Sequence, residues 1–213
     1  HPGGTLVNAL LFHCGKLSTG GDPLRPGIVH RLDKDTSGLM AVALDDEAHR
    51  HLAAQLEDRR MGRTYHTLSW GRWPEDAGTL TGDIGRDPRQ RQRMGVVSAG
   101  GKPAETRFKR MQRFKQATLV EAELITGRTH QIRKQAQIHG FPLTGDSKYS
   151  GSSRLKQYFL HAAALHLCTN DYTLPDIIAP IPDTVEHSIK DVFKIRNIDK
   201  LNEDIIKVLH NRE

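Results

Sequence analysis

Two runs of alternating side chains, at residues 104–109 and 118–125, constrain the fold of this chain more than any other feature. In the first run, small or apolar residues alternate with Glu105, Arg107 and Lys109, which is the period-two pattern of a strand with one buried face. The connection between the runs is short, and short connections join antiparallel neighbours. The sequence therefore predicts an α+β fold with a mixed, mainly antiparallel sheet, flanking helices and a central active-site cleft.

Helix-start signals and apolar spacing predict the elements around this hairpin. Thr5 is a suitable N-cap for a short helix, and Asp45-Asp46 can cap a second helix that reaches about Arg60. Residues 62–70 have the composition of a strand, and a helix is predicted from about residue 127 to about His139. Clusters of Gly, Asp and Pro at residues 71–95 are typical of loops.

A short polar stretch at residues 30–38 places one carboxylate between two cations. Asp33 has Arg31 on one side and Lys34 on the other, and neighbouring cations favour the ionised form of a carboxyl group. The apolar runs at 27–29 and 39–44 predict two strands that hold this stretch as a loop. An ionised carboxylate in a rigidly held loop suits a nucleophile, although a solvated charged turn has the same composition.

The positive charge of the chain is concentrated in one segment. The net charge is +6, and between Arg86 and Lys115 ten Lys or Arg residues stand against two acids, a local charge of +8. Such a block is typical of proteins that bind nucleic acid, and a generic basic surface is the alternative. Within it Arg89, Arg91 and Arg93 occupy alternate positions. On an extended chain they would face one side and suit a phosphate backbone, whereas a solvated loop is equally consistent.

The cysteines and histidines do not form the pattern of a disulfide framework or a metal site. Cys14 and Cys168 stand alone, so we expect a cytoplasmic protein in a reducing compartment. The spacing of the histidines in the second half of the chain is not that of a metal-ligand set; these are His130, His139, His161 and His166. No apolar run approaches the length of a membrane span.

Several stretches resemble motifs of the RluA-type pseudouridine synthases. His30-Arg31-Leu32-Asp33, followed after two residues by Thr36-Ser37-Gly38, fills every fixed position of the catalytic motif of that family. Tyr65, two positions after Arg63, resembles the second motif. The residues from Gly127 to Arg133 read Gly-Arg-Thr-His-Gln-Ile-Arg and match the third motif in full. Further resembling blocks follow in the order of the family, at residues 102–106, 142–149, 160–162 and 179–182.

The resemblance implies an enzyme that isomerises uridine to pseudouridine in RNA. Large-subunit ribosomal RNA is the expected substrate, with transfer RNA as the alternative. Asp33 would act as the nucleophile or as the base that starts glycosidic cleavage. Tyr65 would stack on the base and assist proton removal, and Arg128 would pair with Asp33 and keep it ionised. We expect no cofactor, because the isomerisation is redox-neutral, and we expect a monomer.

The resemblance also implies a set of residues around these three. The substrate-binding candidates are His30, Arg31, Leu32, Thr36, Leu124, Ile125, Thr129, His130 and Arg133, and the candidates for the RNA backbone are Arg89, Arg91, Arg93 and Lys102. Gln135 stands where many relatives have a histidine, a change that would alter RNA contacts. Asp146 is interpreted as a structural loop acid that orients a neighbour in the site.

The resemblance covers residues 1–195, which we interpret as the catalytic domain. In relatives an opening strand, and often an S4 domain, precedes the stretch that resembles residues 1–4, so we expect the sequence to be a piece that lacks them. Residues 196–213 have the apolar spacing of an amphipathic helix. We expect this extension to pack on its own domain.

Two other functions fit parts of the sequence. An RNA hydrolase or N-glycosidase could use Asp33, but such enzymes usually need a second carboxylate or a metal, and Asp35 and Asp146 are the nearest candidates. A catalytically silent RNA-binding or ribosome-assembly factor is the second. Release of free uracil would indicate the first alternative, and RNA binding without pseudouridine would indicate the second.

Overall fold

The computed structural model describes residues 3–86, 94–97, 100–150, 155, 157–168 and 174–183. The helices of this part are α1 (Leu6–Cys14), α2 (Asp46–Glu57) and α3 (Gln131–Ile138). Its strands are β1 (Ser37–Gly38), β2 (Gly62–Trp70), β3 (Ala77–Arg86), β4 (Met94–Val96), β5 (Lys102–Arg113), β6 (Ala117–Leu124), β7 (Leu160–His166) and β8 (Ile177–Ile178). The helix predicted at residues 196–213 and the arginines Arg89, Arg91 and Arg93 lie outside the described residues.

The strands form one sheet in the order β1-β7-β2-β6-β5-β3-β4, and β8 also pairs with β7. The pairing of β1 with β7 is parallel, and every other pairing between these strands is antiparallel. The predicted hairpin is the β5–β6 pair, in which Thr106 lies opposite Leu124 and Arg113 opposite Thr118. The α+β fold with a mixed, mainly antiparallel sheet is confirmed.

The predicted starts of α1 and α2 are found at the expected residues, whereas α3 begins at Gln131, about four residues after the predicted start. Thr5 caps α1 and forms a capping box with Asn8, and the Asp45 carboxylate accepts from the Ala48 backbone N–H at 2.8 Å at the start of α2. These side chains satisfy amide groups that the first turn of a helix leaves without a partner. Polar residues just before an apolar-periodic run were therefore reliable signals here.

The two strands predicted around residues 30–38 were wrong. In the described part of the chain, the apolar runs meet only at an isolated bridge between Ile28 and Val42. The Ala43 N–H donates to the Gly27 carbonyl at 2.8 Å beside this bridge, but other backbone groups bond elsewhere: the Ser18 N–H donates to the Ala43 carbonyl at 3.0 Å, and the Leu39 N–H donates to the Ala162 carbonyl at 2.9 Å. The regular strand, β1, lies inside the stretch that was predicted as a loop.

Gly38 lets the stretch that carries Asp33 lie directly on the sheet. Its φ of 103° belongs to the left-handed region that favours glycine. A Cβ atom at this position would collide with the backbone carbonyl of Ala162 on β7. The short strand β1 can therefore pair with β7, which fixes Asp33 a few residues away.

Helix α3 packs on the sheet face that carries Tyr65. Ile132 and Ala136, one turn apart on the helix, belong to a buried cluster with Tyr65 of β2 and Leu160 and Ala162 of β7. Residues four apart share one face of a helix, so this packing directs the first turn of α3 toward the Asp33 stretch. Within the described residues, no helix is both long and apolar enough to cross a membrane.

Candidate active site

A cavity of about 490 Å³ opens where residues 22–36, β2 and the start of α3 meet. Eleven of the predicted site residues line it: His30, Arg31, Leu32, Asp33, Thr36, Tyr65, Leu124, Arg128, Thr129, His130 and Arg133. Among the described residues, Ile125 and Lys102 are predicted site residues that do not line it. Ile125 bonds through its N–H to the Glu105 carbonyl at 3.2 Å, and Lys102 is exposed at the start of β5.

Asp33 lies in the wall of this cavity, with its side chain 13% exposed. A turn closed by the Thr36 N–H on the Asp33 carbonyl, at 3.0 Å, holds its backbone. The two carboxylate oxygens have different surroundings. Oδ2 accepts from Arg133 Nη1 at 3.2 Å, whereas Oδ1 lies 3.9 Å from His130 Nε2. One oxygen is therefore held by a cation, and the other has a looser contact.

Contacts with Asp146 and Tyr158 hold the guanidinium of Arg133 in place. Its Nε donates to Asp146 Oδ2 at 2.7 Å and its Nη2 donates to Asp146 Oδ1 at 3.0 Å, a bidentate geometry that sets the orientation of a guanidinium. The ring of Tyr158 lies 4.2 Å from the guanidinium carbon. Burial alone would lower the pKa of Arg133, but the hydrogen bonds and charge of Asp146 raise it above the ordinary value. Arg133 therefore stays charged beside Asp33.

The guanidinium on Asp33 belongs to Arg133 and not, as predicted, to Arg128. Arg128 lies in the loop before α3, and its Nε donates to the Pro103 carbonyl at 3.0 Å. Arg133 lies on the buried face of α3 next to Ile132, and only 6% of it is exposed. The packing of the helix thus directs the second arginine of the motif, rather than the first, to the carboxylate. Arg128 remains in the cavity lining.

Tyr65 occupies the floor of the cavity on β2 and is 5% exposed. Burial raises the pKa of its phenol, the nearby Arg63 lowers it, and the Asp33 carboxylate raises it. A phenol with a raised pKa keeps its proton near neutral pH. Tyr65 is therefore suited to stacking or to donating a hydrogen bond, and less suited to removing a proton by itself.

His30 and Arg63 also line the cavity. The Ala41 N–H donates to His30 Nε2 at 2.9 Å, so this ring nitrogen carries no proton. Burial and the Arg63 charge lower the pKa of His30 to about 4, and the imidazole is neutral near neutral pH. Arg63 stands at the lysine position of the second motif. It adds a further cation to the cavity lining.

Two residues that were assigned no catalytic role complete the surroundings of Asp33. Asp146 is 1% exposed and holds Arg133 as described. Tyr149 follows it in the same loop, and its hydroxyl lies 2.8 Å from His130 Nδ1. The block at residues 142–149 was visible in the sequence, but its residues reach the site only through the fold.

Gln135 has a structural role in α3. It is completely buried; its amide donates to the Leu80 carbonyl at 2.9 Å, and its Oε1 accepts from the Thr106 hydroxyl at 2.6 Å. These bonds tie α3 to β3 and β5. The substitution that was expected to alter RNA contacts therefore lies in the interior.

The chain resembles known proteins over most of its length. A family model described as RNA pseudouridylate synthase matches residues 2–137. An RNA pseudouridine synthase of Chloroflexus aurantiacus is 50% identical over 170 residues, which cover 78% of this chain and 53% of the relative. The ribosomal large subunit pseudouridine synthase D of Zymomonas mobilis is 46% identical over 162 residues, 75% of this chain and 51% of that protein. The chain therefore spans about half the length of these relatives.

A solved structure has the same fold. The structure of human RNA pseudouridylate synthase domain containing 1 superposes with a TM-score of 0.73 at 24% identity, covering 97% of this chain and 85% of that one. At this identity the likeness shows the fold alone, and the family rests on the sequence match across residues 2–137. The chain belongs to the RNA pseudouridylate synthase family.

Proposed function

We propose that this protein converts uridine to pseudouridine in RNA and that Asp33 is its catalytic carboxylate. The observation that carries the proposal is the Asp33–Arg133–Asp146 arrangement at the cavity wall, with contacts of 3.2 and 2.7 Å. A fixed guanidinium orients the carboxylate, which is needed whether Asp33 attacks the sugar or removes a proton. The family membership supports the same reaction.

The cavity has the properties that the reaction requires. The target base must leave its stack to reach Asp33, which costs a few kcal/mol and is easiest in loops or distorted RNA. The uracil must then be retained while it turns, so that its C5 can replace N1 at the sugar. Apolar side chains beside Asp33 would hold it without fixing its orientation: Leu32, Leu124, Ile132 and Leu160.

We propose large-subunit ribosomal RNA as the substrate. The relatives named ribosomal large subunit pseudouridine synthase D, at 40–46% identity, support this choice. We propose that residues 1–195 form the catalytic unit and residues 196–213 an extension of it. Pseudouridine mapping in cells that lack this protein should show the loss of a site in large-subunit ribosomal RNA. A site lost only in transfer RNA would contradict the proposed substrate.

Asp33→Asn tests the catalytic role, because it keeps the shape of the side chain and removes its charge. Pseudouridine formation on in vitro transcribed large-subunit ribosomal RNA should fall to background, while RNA binding is retained. Asp35→Asn is the matched control: it removes the same charge two residues away, from an exposed side chain that does not line the cavity, and should leave the rate nearly unchanged. Near-normal pseudouridine formation by Asp33→Asn would contradict the proposal.

A further inference from the structure

The two oxygens of Asp33 are not equivalent, and the difference singles out His130. Oδ2 is bound to Arg133, so Oδ1 is the oxygen free to face a sugar. His130 Nε2 lies 3.9 Å from this Oδ1, and its side chain is 18% exposed in the cavity lining. A base that is detached from the sugar beside Oδ1 would therefore face the imidazole of His130.

The hydrogen bonds behind His130 set which ring nitrogen carries the proton. The Tyr149 hydroxyl accepts from the Met94 backbone N–H at 3.2 Å and lies 2.8 Å from His130 Nδ1. Among the described residues these are the contacts of that hydroxyl, so its own proton has Nδ1 as its acceptor. Nδ1 is then an acceptor, and the neutral ring carries its proton on Nε2, the atom that faces Asp33.

The backbone of His130 indicates that this placement has a cost. His130 has φ 57° and ψ 26°, in the left-handed region, and it occupies the N-cap position of α3 without a side-chain cap bond. Such a conformation is unfavourable for a non-glycine residue and persists where other contacts determine it. The bond to Tyr149 and the approach to Asp33 are those contacts.

We propose that His130 is a second catalytic residue, which lends a proton to the detached uracil and takes one back, with Tyr149 as the residue that positions and recharges it. The inference rests on the proposed function. Isomerisation moves one proton from C5 of the base to N1. Because C5 takes the place at the sugar that N1 has left, one group beside Oδ1 can serve both atoms in turn.

The proton movements balance without any other reactant. When the bond from C1′ to N1 breaks, its electron pair goes to the uracil, the Nε2 proton moves to N1, and the Tyr149 proton moves to Nδ1. The resulting tyrosinate keeps the Met94 N–H, and the guanidinium carbon of Arg133 lies 5.1 Å from its ring centre. When C5 bonds to C1′, the C5 proton returns to Nε2 and the Nδ1 proton returns to Tyr149. Nothing is oxidised, and both side chains end as they began.

The protonation states fit this role. Burial lowers the pKa of His130, the Asp33 charge raises it, and the Arg133 and Lys148 charges lower it again, so that the net direction is downward. The ring is therefore neutral near neutral pH, with a single proton to lend. Burial raises the pKa of Tyr149, which keeps that hydroxyl protonated in the resting protein. The Met94 N–H and the Arg133 charge lower the pKa of Tyr149 and so favour the transient tyrosinate.

His130→Gly is an unusually clean test, because glycine adopts the left-handed backbone of this position without strain. The single-turnover rate on in vitro transcribed large-subunit ribosomal RNA should fall by about 100-fold or more, the contribution typical of general acid–base catalysis, with RNA affinity nearly unchanged. Added imidazole should restore part of the rate in a saturable manner. The control is His139→Gly, which changes an exposed residue at the other end of α3. Its rate should stay near that of the unchanged protein, and added imidazole should not raise it.

Tyr149→Phe separates positioning from simple structural support. It should lower the single-turnover rate of the protein that has His130. It should have little further effect on the rate of His130→Gly, since Tyr149 acts through His130. Three results would overturn the inference. They are full activity of His130→Gly, a slow His130→Gly that imidazole does not rescue, and equal effects of Tyr149→Phe in both backgrounds. If the unchanged protein makes no pseudouridine, the proposed function itself fails, which is a distinguishable result.

Discussion

At the scale of single residues, Asp146 determines how well Arg133 can hold Asp33. Both partners are buried, and removing one member of a buried ion pair typically costs about 3 to 5 kcal/mol. We expect Asp146→Asn to lower the Tm by roughly 10 °C, since 1 kcal/mol corresponds to about 2 to 4 °C in a chain of this size. The protein that stays folded should also form pseudouridine more slowly, because Arg133 loses its bidentate hydrogen bonds to Asp146.

A matched variant separates this effect from the loss of any acidic residue. Asp58→Asn removes a carboxylate that pairs with Arg60 at 3.1 Å on the surface, where both side chains are about half exposed. Surface pairs contribute little to stability, so its Tm and rate should stay close to those of the unchanged protein. Equal thermal stability of Asp146→Asn and Asp58→Asn would contradict the assigned role of Asp146.

The sequence predicted the kinds of residue at the site better than their pairing. Asp33, Tyr65 and both arginines of the third motif line one cavity, as the resemblance implied. Which arginine meets Asp33 depends on where α3 begins and which face it buries, and a loop of unknown conformation precedes it. Asp146 was expected to orient a neighbour in the site, and it holds Arg133. The role of Tyr149 depends on the same loop-to-helix geometry, which no local pattern in the sequence encodes.

At the scale of elements, the contact of β1 with β7 places the Asp33 stretch. Gly38→Ala should disrupt that contact because the new Cβ collides with the Ala162 carbonyl, and a displacement of about 1 Å at a catalytic group can lower a rate by about 100-fold. Gly140→Ala is the control: Gly140 has a φ of 85° but no atom within 4 Å of a new Cβ. Both variants place alanine at a positive φ and so share the backbone strain. A larger loss of Tm and of turnover in Gly38→Ala is therefore the effect of the collision alone. Equal losses would contradict it.

The elements that the sequence predicted are those with a continuous pattern. The β5–β6 hairpin, β2 and the capped helices α1 and α2 follow from alternation or from N-cap residues. The ten-residue strand β3 was missed, because glycines and an aspartate interrupt its alternation, and it is held by pairing with β5 from Ala77 to Ile84. The runs at 27–29 and 39–44 have strand composition. They share the bond from the Ala43 N–H to the Gly27 carbonyl, but loops and β7 provide further partners.

At the scale of the whole molecule, the basic block from Arg86 to Lys115 contains cations of two kinds. In its described part, Arg110 pairs with Asp76, Arg107 lies 3.8 Å from Glu123, and Arg113 donates to the Trp73 carbonyl at 2.5 Å. These arginines already have protein partners. The exposed Lys102 and Lys109 are therefore the better candidates for phosphate contacts in this part, and the arginines at 89, 91 and 93 stay candidates through their alternate spacing in the sequence.

RNA affinity should accordingly fall as salt rises, and the slope should depend on those arginines. Each phosphate contact on single-stranded RNA contributes about 0.7 to the slope of log affinity against log salt, so changing Arg89, Arg91 and Arg93 together to Gln should lower its magnitude by up to about 2. Turnover at saturating RNA should be nearly unchanged, since Asp33 is untouched. Changing Lys16, Arg50 and Arg59 to Gln removes the same three positive charges from exposed positions outside the block. A similar fall in slope for both sets would show that net charge, rather than the block, determines RNA binding.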